Sequence, residues 1–365
     1  MRETPRLSRR LRGVISWNQL IMRYRFYTTS EKAWGGMLAA IDSARESIYL
    51  EMYIFEHDSV GDDFLALLER KAREGVRVIV ILDAFGSFGI TTALLDRLRA
   101  AGAEVLLFSY WFRRTHRKIL IVDESVAFIG GVNIAKYSAH WRDLQMRIAG
   151  KRIVRHVLRS FTHVYHECGG KDPALSDIKP FPLLQKTRLW FIEHGIGKKR
   201  HELRTHYEAH IDGALHTIIL VTPYLIPPRW LAACLYRAIG RGVRIEVIVP
   251  KQSLPRFIDR INYYYVSLFG KLGATCFLSD EMNHAKIMLI DGRLGTVGSQ
   301  NLDTLSFDWN VEAGVFFDNP KMIQSLRFIL EKWKRDATPF TPATHPPRWY
   351  DFFIAFLLRL FQPVP

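Results

Sequence analysis

The chain has little cysteine: three in 365 residues, Cys168, Cys234 and Cys276, widely spaced and without a C-x-x-C pair. That excludes a disulfide framework and a cysteine zinc site, and fits a reducing compartment. Long apolar runs are also missing. No segment holds 18 uninterrupted apolar residues, so no transmembrane helix is expected. Acids are scarce relative to bases: 36 Asp and Glu against 51 Lys and Arg leave a formal charge of +15 and a pI near 9.8. That surplus points to an anionic partner, either nucleic acid or an anionic membrane. Metal-ligand spacing is absent among the 13 histidines. His206 and His210 are four apart, but Glu208 lies off their face and no third ligand is evident. The hydrophobic content of 48% excludes wholesale disorder, and the length suggests about two domains.

What the sequence does have is one stretch that occurs twice. His116-Arg117-Lys118-Ile119-Leu120-Ile121-Val122-Asp123 is followed by Gly130-Gly131-Val132-Asn133. Its match is His284-Ala285-Lys286-Ile287-Met288-Leu289-Ile290-Asp291, followed by Gly298-Ser299-Gln300-Asn301. Both read H-x-K-x4-D-x6-G-[GS]-x-N, and every matched pair lies 168 residues apart. An acid closes each copy: Asp143 and Glu312 stand 27 and 28 residues beyond their histidines. The apolar runs 119–122 and 287–290 read as short buried strands. Alternation along a strand puts His and Lys, two apart, on one face. The glycines let backbone approach closely, and the Asn that follows offers an amide. A neutral imidazole can attack phosphorus, while an ammonium and an amide can hold phosphoryl oxygens. Two copies face to face would supply one histidine as nucleophile and one as acid. A lone H-x-K carries almost no signal; a template recurring at constant offset does.

The segments around the first copy alternate between strand and helix patterns. Helical spacing runs through Trp34, Met37, Leu38 and Ile41; a strand is expected at 47–55, a helix at 60–74 ended by Gly75, and a strand at 76–82. A helix at 91–101 and a strand at 105–108 follow. The second half repeats the order. Ile41-Asp42-Ser43-Ala44 recurs as Ile211-Asp212-Gly213-Ala214, Tyr53 as Tyr224, and Gly75-Val76-Arg77-Val78 as Gly242-Val243-Arg244-Ile245, at offsets of 170, 171 and 167. Internal duplication accounts for the whole middle of the chain, and the alternation argues a mostly parallel sheet covered by helices.

The two H-x-K-x4-D units resemble the paired signature of the phospholipase D superfamily, over about residues 31–335. Three further stretches resemble bacterial cardiolipin synthases: Trp141-Arg142-Asp143, Thr222-Pro223-Tyr224-Leu225-Ile226-Pro227, and Asn301-Leu302-Asp303-Thr304-Leu305-Ser306-Phe307. The Leu305-Ser306 pair is closer to the short type without an N-terminal membrane hairpin, and Gly131 stands where many superfamily members have Ser. The resemblance implies an α/β fold of two pseudo-symmetric halves, each a mixed, mostly parallel sheet flanked by helices, with the active site between them. It implies a phosphatidyltransferase. One histidine, His116 in the preferred order, attacks the phosphorus of a phosphatidylglycerol while His284 protonates the departing glycerol; a second phosphatidylglycerol then takes the phosphatidyl group and cardiolipin forms. The implied catalytic residues are His116, Lys118, Asp123, His284, Lys286 and Asp291. Asn133, Ser299 and Asn301 would bind phosphate. Asp143 and Glu312 would orient the imidazoles, and whether each serves its own copy or the other is open. No cofactor and no metal are implied. A phospholipase D hydrolase making phosphatidic acid, or a nuclease of the superfamily, stay open as rival classes. The implied partner is an anionic phospholipid membrane of phosphatidylglycerol and cardiolipin, with no nucleic acid expected. The implied place is the cytoplasmic side of a bacterial inner membrane, peripherally bound; the oligomeric state is open.

The chain then divides into a basic arm at 1–30, a first half at 31–170, a connector at 171–200 rich in Pro and Gly, a second half at 201–335 and a tail at 336–365. A secretory signal is not expected in the arm, since no small-residue cleavage site follows it. Tyr53 and Tyr224 either line the lipid pocket or cap buried strands. The Gly-rich stretch 83–89 is either a loop over the site or a plain βα turn. Trp111-Phe112-Arg113-Arg114 suits phospholipid headgroups and equally a nucleic acid. In the tail, Trp349, Phe352, Phe353, Phe356, Leu357 and Leu360 read as an interfacial helix too short to span a bilayer.

Overall fold

The structure is a computed structural model that describes residues 23–176, 178, 188–195, 201–254, 256–341 and 349–350. In the first half β1 (Arg23–Thr29) leads into α1 (Ser30–Asp42), β2 (Ser47–Met52), α2 (Ser59–Arg73), β3 (Arg77–Asp83), α3 (Thr92–Ala100) and β4 (Glu104–Phe108). Then β5 (Lys118–Val122), β6 (Val126–Gly130) and β7 (Arg142–Ala149) follow as a meander, before α4 (Lys151–Glu167) and the short α5 (Pro173–Ser176). The order returns with β8 (Leu189–His194), α6 (Glu202–Asp212), β9 (Thr217–Val221), β10 (Leu225–Ile226), α7 (Arg229–Gly240), β11 (Arg244–Pro250), α8 (Phe257–Lys271) and β12 (Thr275–Ser279). It closes with β13 (Ile287–Ile290), β14 (Leu294–Gly298), β15 (Leu302–Asp303), β16 (Glu312–Phe317), α9 (Pro320–Arg335) and β17 (Ala337–Pro339).

Local chemistry sets these boundaries. Asp58 caps α2 by accepting from the backbone of Val60 and Gly61. Arg70, Lys71 and Arg73 fill its last turn, where cations suit the carbonyl end, and Gly75 turns out at φ +86°. Asn319 caps α9 in the same way, ahead of Pro320.

The first sheet has the order β1-β7-β6-β5-β2-β3-β4. The second reads β8-β16-β14-β13-β9-β11-β12 from the corresponding edge, with β17 added at the end. Both are mixed sheets between helices. Within them, parallel pairing is nevertheless confined to β2-β3-β4 and β9-β11-β12. The pairings across β1, β7, β6, β5 and β2 are antiparallel. The expected dominance of parallel pairing holds only where helices connect strands. The motif region contains no α-helical crossover, only a short 3-10 turn at Lys136–Ser138 and a π turn at Leu305–Trp309, so its strands pair antiparallel.

Three apolar cores result. Ile48, Leu50 and Met52 face one way, onto α1, α2 and α3. Tyr49, between them, faces a central core made by both sheets together with α4 and α9. A third core lies under α6, α7 and α8. The central core makes the halves one unit. Fully burying each Leu, Ile or Phe there contributes about 1.5–3 kcal/mol, lost if the halves part.

Each half begins one strand earlier than the sequence reading placed it. Arg23–Thr29, assigned to the basic arm, pairs antiparallel with β7. Leu189–His194, assigned to the connector, pairs with β16. β1 is an edge strand with alternately exposed Arg23 and Arg25, so its composition resembles a solvated leader more than a core strand. At the other end Ala337–Pro339, placed in the tail linker, adds an edge strand to β12. Pro339 fits there because an edge strand has no second neighbour to need its missing N–H. The remainder of the arm, residues 1–22, and residues 342–348 and 351–365 of the tail lie outside the described residues. Of the tail, Trp349 is exposed and the Tyr350 ring lies 5.6 Å from the Arg260 guanidinium. No helix among the described residues is long and apolar enough to cross a membrane.

Candidate active site

The halves meet where β5 and β13 begin. The His116 N–H donates to the Val311 carbonyl at 2.9 Å, and the Val311 N–H donates back to Arg114 at 2.8 Å. The other copy repeats this: His284 donates to Arg142 at 2.7 Å and Arg142 donates to Met282 at 2.9 Å. Each motif histidine is thereby laced to the segment that carries the other half's acid. The side chains complete the exchange. His116 Nδ1 lies 3.0 Å from Glu312 Oε1, and His284 Nδ1 lies 2.8 Å from Asp143 Oδ2. The question left open by the sequence is answered by geometry: each acid serves the histidine of the opposite copy.

All four groups are buried. Burial, then the neighbouring ammonium groups, hold both imidazoles down to a pKa of about 4, against the opposing pull of their carboxylates. Glu312 is held down to about 2: burial works to raise it, but His116, Lys118 and the Ser299 hydroxyl outweigh that. A neutral imidazole bonded through Nδ1–H to an ionised carboxylate keeps the lone pair on Nε2. That is the form a nucleophile needs.

The lysines differ between copies. Lys118 Nζ donates to the His116 carbonyl at 2.5 Å and stands 4.8 Å from the Tyr53 ring centre. Lys286 Nζ likewise donates to the His284 carbonyl, and it also lies 2.9 Å from both ring nitrogens of His284. Burial and the proximity of Lys286 push Lys118 well below its ordinary value, while burial lowers Lys286 to about 8. Asn133 and Asn301 are buried, and their Oδ1 atoms have no hydrogen-bond partner. Trp34 Nε1 fixes the Asn133 carbonyl at 2.7 Å, and Ser306 Oγ holds the Asn301 N–H at 3.0 Å. Ser299 donates its hydroxyl to Glu312 and accepts from the Ala313 N–H at 3.0 Å, so it positions the acid.

Asp123 and Asp291 are not in this assembly. They close the far ends of their strands, roughly 20 Å away at about 3.3 Å per residue. Asp123 accepts from the N–H groups of Arg45, Glu46 and Ser47; Asp291 accepts from Leu215, His216 and Thr217. Both have positive φ, 48° and 51°, which Asp tolerates. Their place in the motif is a turn lock. A groove of about 720 Å³ beside Asp123, lined by Arg25, Tyr27 and Lys32, lies at that same end and away from the histidines.

Tyr53 is a wall of the site. Its ring meets His116 edge-on at 4.6 Å, and burial raises its hydroxyl to about 12. Trp141 takes the matching place at 5.5 Å from His284. Tyr224 donates to the Leu254 carbonyl at 2.5 Å; burial and then the charge of Asp303 raise its hydroxyl. Asp83 anchors the 83–89 loop: Oδ1 accepts from Phe85 and Gly86, and Oδ2 from the Thr115 N–H next to His116.

Two groups escaped the sequence reading. Arg117, the variable residue of the motif, is fully buried and paired with Glu51, and its Nη1 donates to Ser160 Oγ at 2.7 Å. Asp303 is buried beside Asn301, its Oδ1 accepts from the Ser306 N–H at 2.7 Å, and burial raises it to about 6. Neither has a counterpart in the other copy, where Ala285 and Ala135 stand, so the repeat gave no signal for them.

Residues 37–165 and 207–333 match the family described as cardiolipin synthase, PLD-like domain. The chain belongs to that family. It is 29% identical over 328 residues to a cardiolipin synthase of Geobacillus kaustophilus, covering 84% of this chain and 65% of that one. It is 29% identical over 362 residues to a cardiolipin synthase of Listeria welshimeri, covering 93% and 74%. The chain thus spans between 65% and 74% of the length of these relatives. Among solved structures, phosphatidylserine synthase of Haemophilus influenzae Rd KW20 matches with a TM-score of 0.77, at 14% identity over 94% of each chain. Polyphosphate kinase from Porphyromonas gingivalis gives 0.63 at 18% identity, over 99% of this chain and 57% of that one. At such identities the likeness is one of fold.

Proposed function

We propose that the chain is a cardiolipin synthase that moves a phosphatidyl group between two phosphatidylglycerols. The observation that carries this is the crossed pair of buried histidine–carboxylate dyads, in a family whose curated relatives bear that name. His116 Nε2 attacks phosphorus, the bond to the glycerol headgroup breaks, and His284 gives its proton to the departing oxygen. Burial and then the ammonium groups keep His284 neutral; the entering phosphodiester anion offsets the ammonium groups and so favours its carrying that proton. The incoming glycerol hydroxyl of the second lipid then loses its proton to His284 and attacks phosphorus as the N–P bond breaks. One phosphodiester replaces another, so no nucleotide is consumed.

His116 suits the nucleophile's part because Tyr53 covers one edge of its ring. His284 suits the acid–base part because Lys286 stands at its ring nitrogens and buffers the proton it handles. Lys118, Lys286, Asn133 and Asn301 hold the phosphoryl oxygens. Asp143 and Glu312 fix the imidazoles, and Ser299 fixes Glu312. The enzyme works at an anionic membrane, bound peripherally on the cytoplasmic side, with the basic arm and the aromatic tail assisting.

The test is product analysis with purified protein and phosphatidylglycerol vesicles. Cardiolipin and free glycerol are expected in equal amounts. Phosphatidic acid in place of cardiolipin would make the enzyme a hydrolase, and cleavage of added DNA without lipid turnover would make it a nuclease.

A further inference from the structure

Six large apolar side chains stand out in solvent at the end of the sheets that carries the histidines: Phe85, Phe88, Trp111, Phe112, Leu305 and Trp309. Phe88 and Trp111 are 82% and 83% exposed, Phe112 71%, Phe85 64% and Leu305 62%. They come from three separate loops: one follows β3, one follows β4, and one joins β15 to β16. All three loops lie at the end of the sheets where the motif strands begin. The first is pinned to Thr115, next to His116, through Asp83. The second runs directly into His116, and the third directly into Glu312. The loops touch across the interface: Phe112 and Trp309 have ring centres 6.3 Å apart, and Trp111 packs edge-on against Phe112. Arg114 stacks over Phe85 at 4.3 Å and donates to the Tyr110 carbonyl at 2.6 Å, which sets a fixed cation among the rings.

We propose that this rim is the surface by which the enzyme seats its active-site mouth on an anionic bilayer. The inference rests on the lipid-substrate reading and adds where the membrane sits. Scattered exposed apolar residues need no explanation, but a group drawn from three connections that meet at one end of the sheets does. Aromatic rings suit the headgroup level, where one edge meets acyl chains and the other water. A guanidinium among them, on a chain of formal charge +15, favours anionic lipid over neutral lipid. With the rim in the interface, a phosphodiester at headgroup depth lies close to His116 without the lipid leaving the bilayer.

Two arms test this. The first compares the full chain with Trp111→Phe on vesicles of equal parts phosphatidylglycerol and phosphatidylcholine, the latter brominated in its acyl chains. A clear part of the tryptophan quenching is expected to vanish in Trp111→Phe; quenching unchanged by that substitution overturns the proposal. This arm does not depend on a disruptive variant. The second uses Phe88→Ser/Trp111→Ser/Phe112→Ser. Its partition onto the same vesicles is expected to fall at least about tenfold, with turnover of dispersed short-chain phosphatidylglycerol within about twofold of the full chain. Unchanged vesicle partition, or loss of an oligomer with partition intact, overturns it and assigns the rim to a second copy of the chain. If Trp111 is quenched but no cardiolipin forms, the functional reading fails and the rim stands. Cardiolipin formation without Trp111 quenching has the reverse meaning.

Discussion

The two halves share a strand order and a motif, yet the residues that surround the shared His, Lys and Asn differ. In the first half Glu51 on β2 faces a buried Arg117; in the second the corresponding positions hold Val221 and Ala285. In the first, Gly131 lies against Asp143; in the second, Ser299 donates to Glu312. Asp303 answers to Ala135, and Lys286 meets its histidine where Lys118 does not. Duplication thus supplied a symmetric frame, and substitutions inside it made two histidines with different surroundings. A transfer reaction asks for that, since one group attacks while the other handles protons.

The comparison predicts, first, that neither histidine can replace the other. His116→Ala and His284→Ala should each lower turnover on the order of 10³-fold or more, with unchanged circular dichroism. Trapping of labelled phosphatidyl on His284→Ala but not on His116→Ala would make His116 the nucleophile and His284 the acid and base. Near wild-type turnover in either variant would end the two-histidine mechanism.

Next comes the buried ion pair that the second half dispenses with. Removing one partner leaves a charge without compensation, so Glu51→Ala or Arg117→Ala should cost about 3–5 kcal/mol. Copying the second half, Glu51→Val/Arg117→Ala, should bring stability back to within about 2 kcal/mol of the parent; the remainder is lost hydrogen bonding at Thr115 and Ser160. Urea denaturation of the three variants decides it, and an additive double variant would show that the pair is not coupled.

Acid should expose both dyads at once. A histidine with an ordinary pKa of 6.5 takes a proton in the unfolded chain well before the buried ones do at about 4. Protons therefore favour unfolding as pH falls from 6.5 towards 4, and stability drops in that window by on the order of 2 kcal/mol per histidine at pH 5. Glu312 adds a separate loss lower down, as pH falls from its ordinary 4.5 towards about 2. His116→Asn/His284→Asn should flatten the upper window and shrink the lower one as well, because His116 is the main group holding Glu312 down against burial. Denaturation midpoints at pH 7, pH 5 and pH 3 measure the two windows.

A smaller effect is expected at Gly131. A Cβ there would stand 2.2 Å from Oδ1 of Asp143, the carboxylate that bonds His284 through Oδ2. Gly131→Ser should displace that carboxylate and lower kcat about tenfold, while Gly131→Ser/Asp143→Glu rebuilds the arrangement of the second half and recovers part of the loss. No recovery would mean that the Gly–Asp and Ser–Glu pairs are not matched sets. The smallest expected effect is none: chelator treatment should leave turnover unchanged, because ammonium and amide groups hold the phosphoryl oxygens. Activity lost to chelation and restored by zinc or magnesium would overturn that assignment.

By itself the sequence determined that there are two halves, because a template at constant spacing survives in the letters whatever the fold does. It also singled out, by repetition, the histidines and lysines that the structure buries together at the meeting of the halves. It misplaced what depended on neighbours far along the chain. β1 and β8 looked like leader and connector because an edge strand needs only one partner, and that partner lies over a hundred residues away in each case. Asp123 and Asp291 looked catalytic because adjacency in a motif hides the length of the strand between its ends. Arg117 looked like filler because its partner Glu51 is on another strand. Only the tertiary structure decided that the acids cross over. Twenty-seven or twenty-eight residues of chain permit either histidine; the backbone bonds that lace His116 to Val311 and His284 to Arg142 permit one.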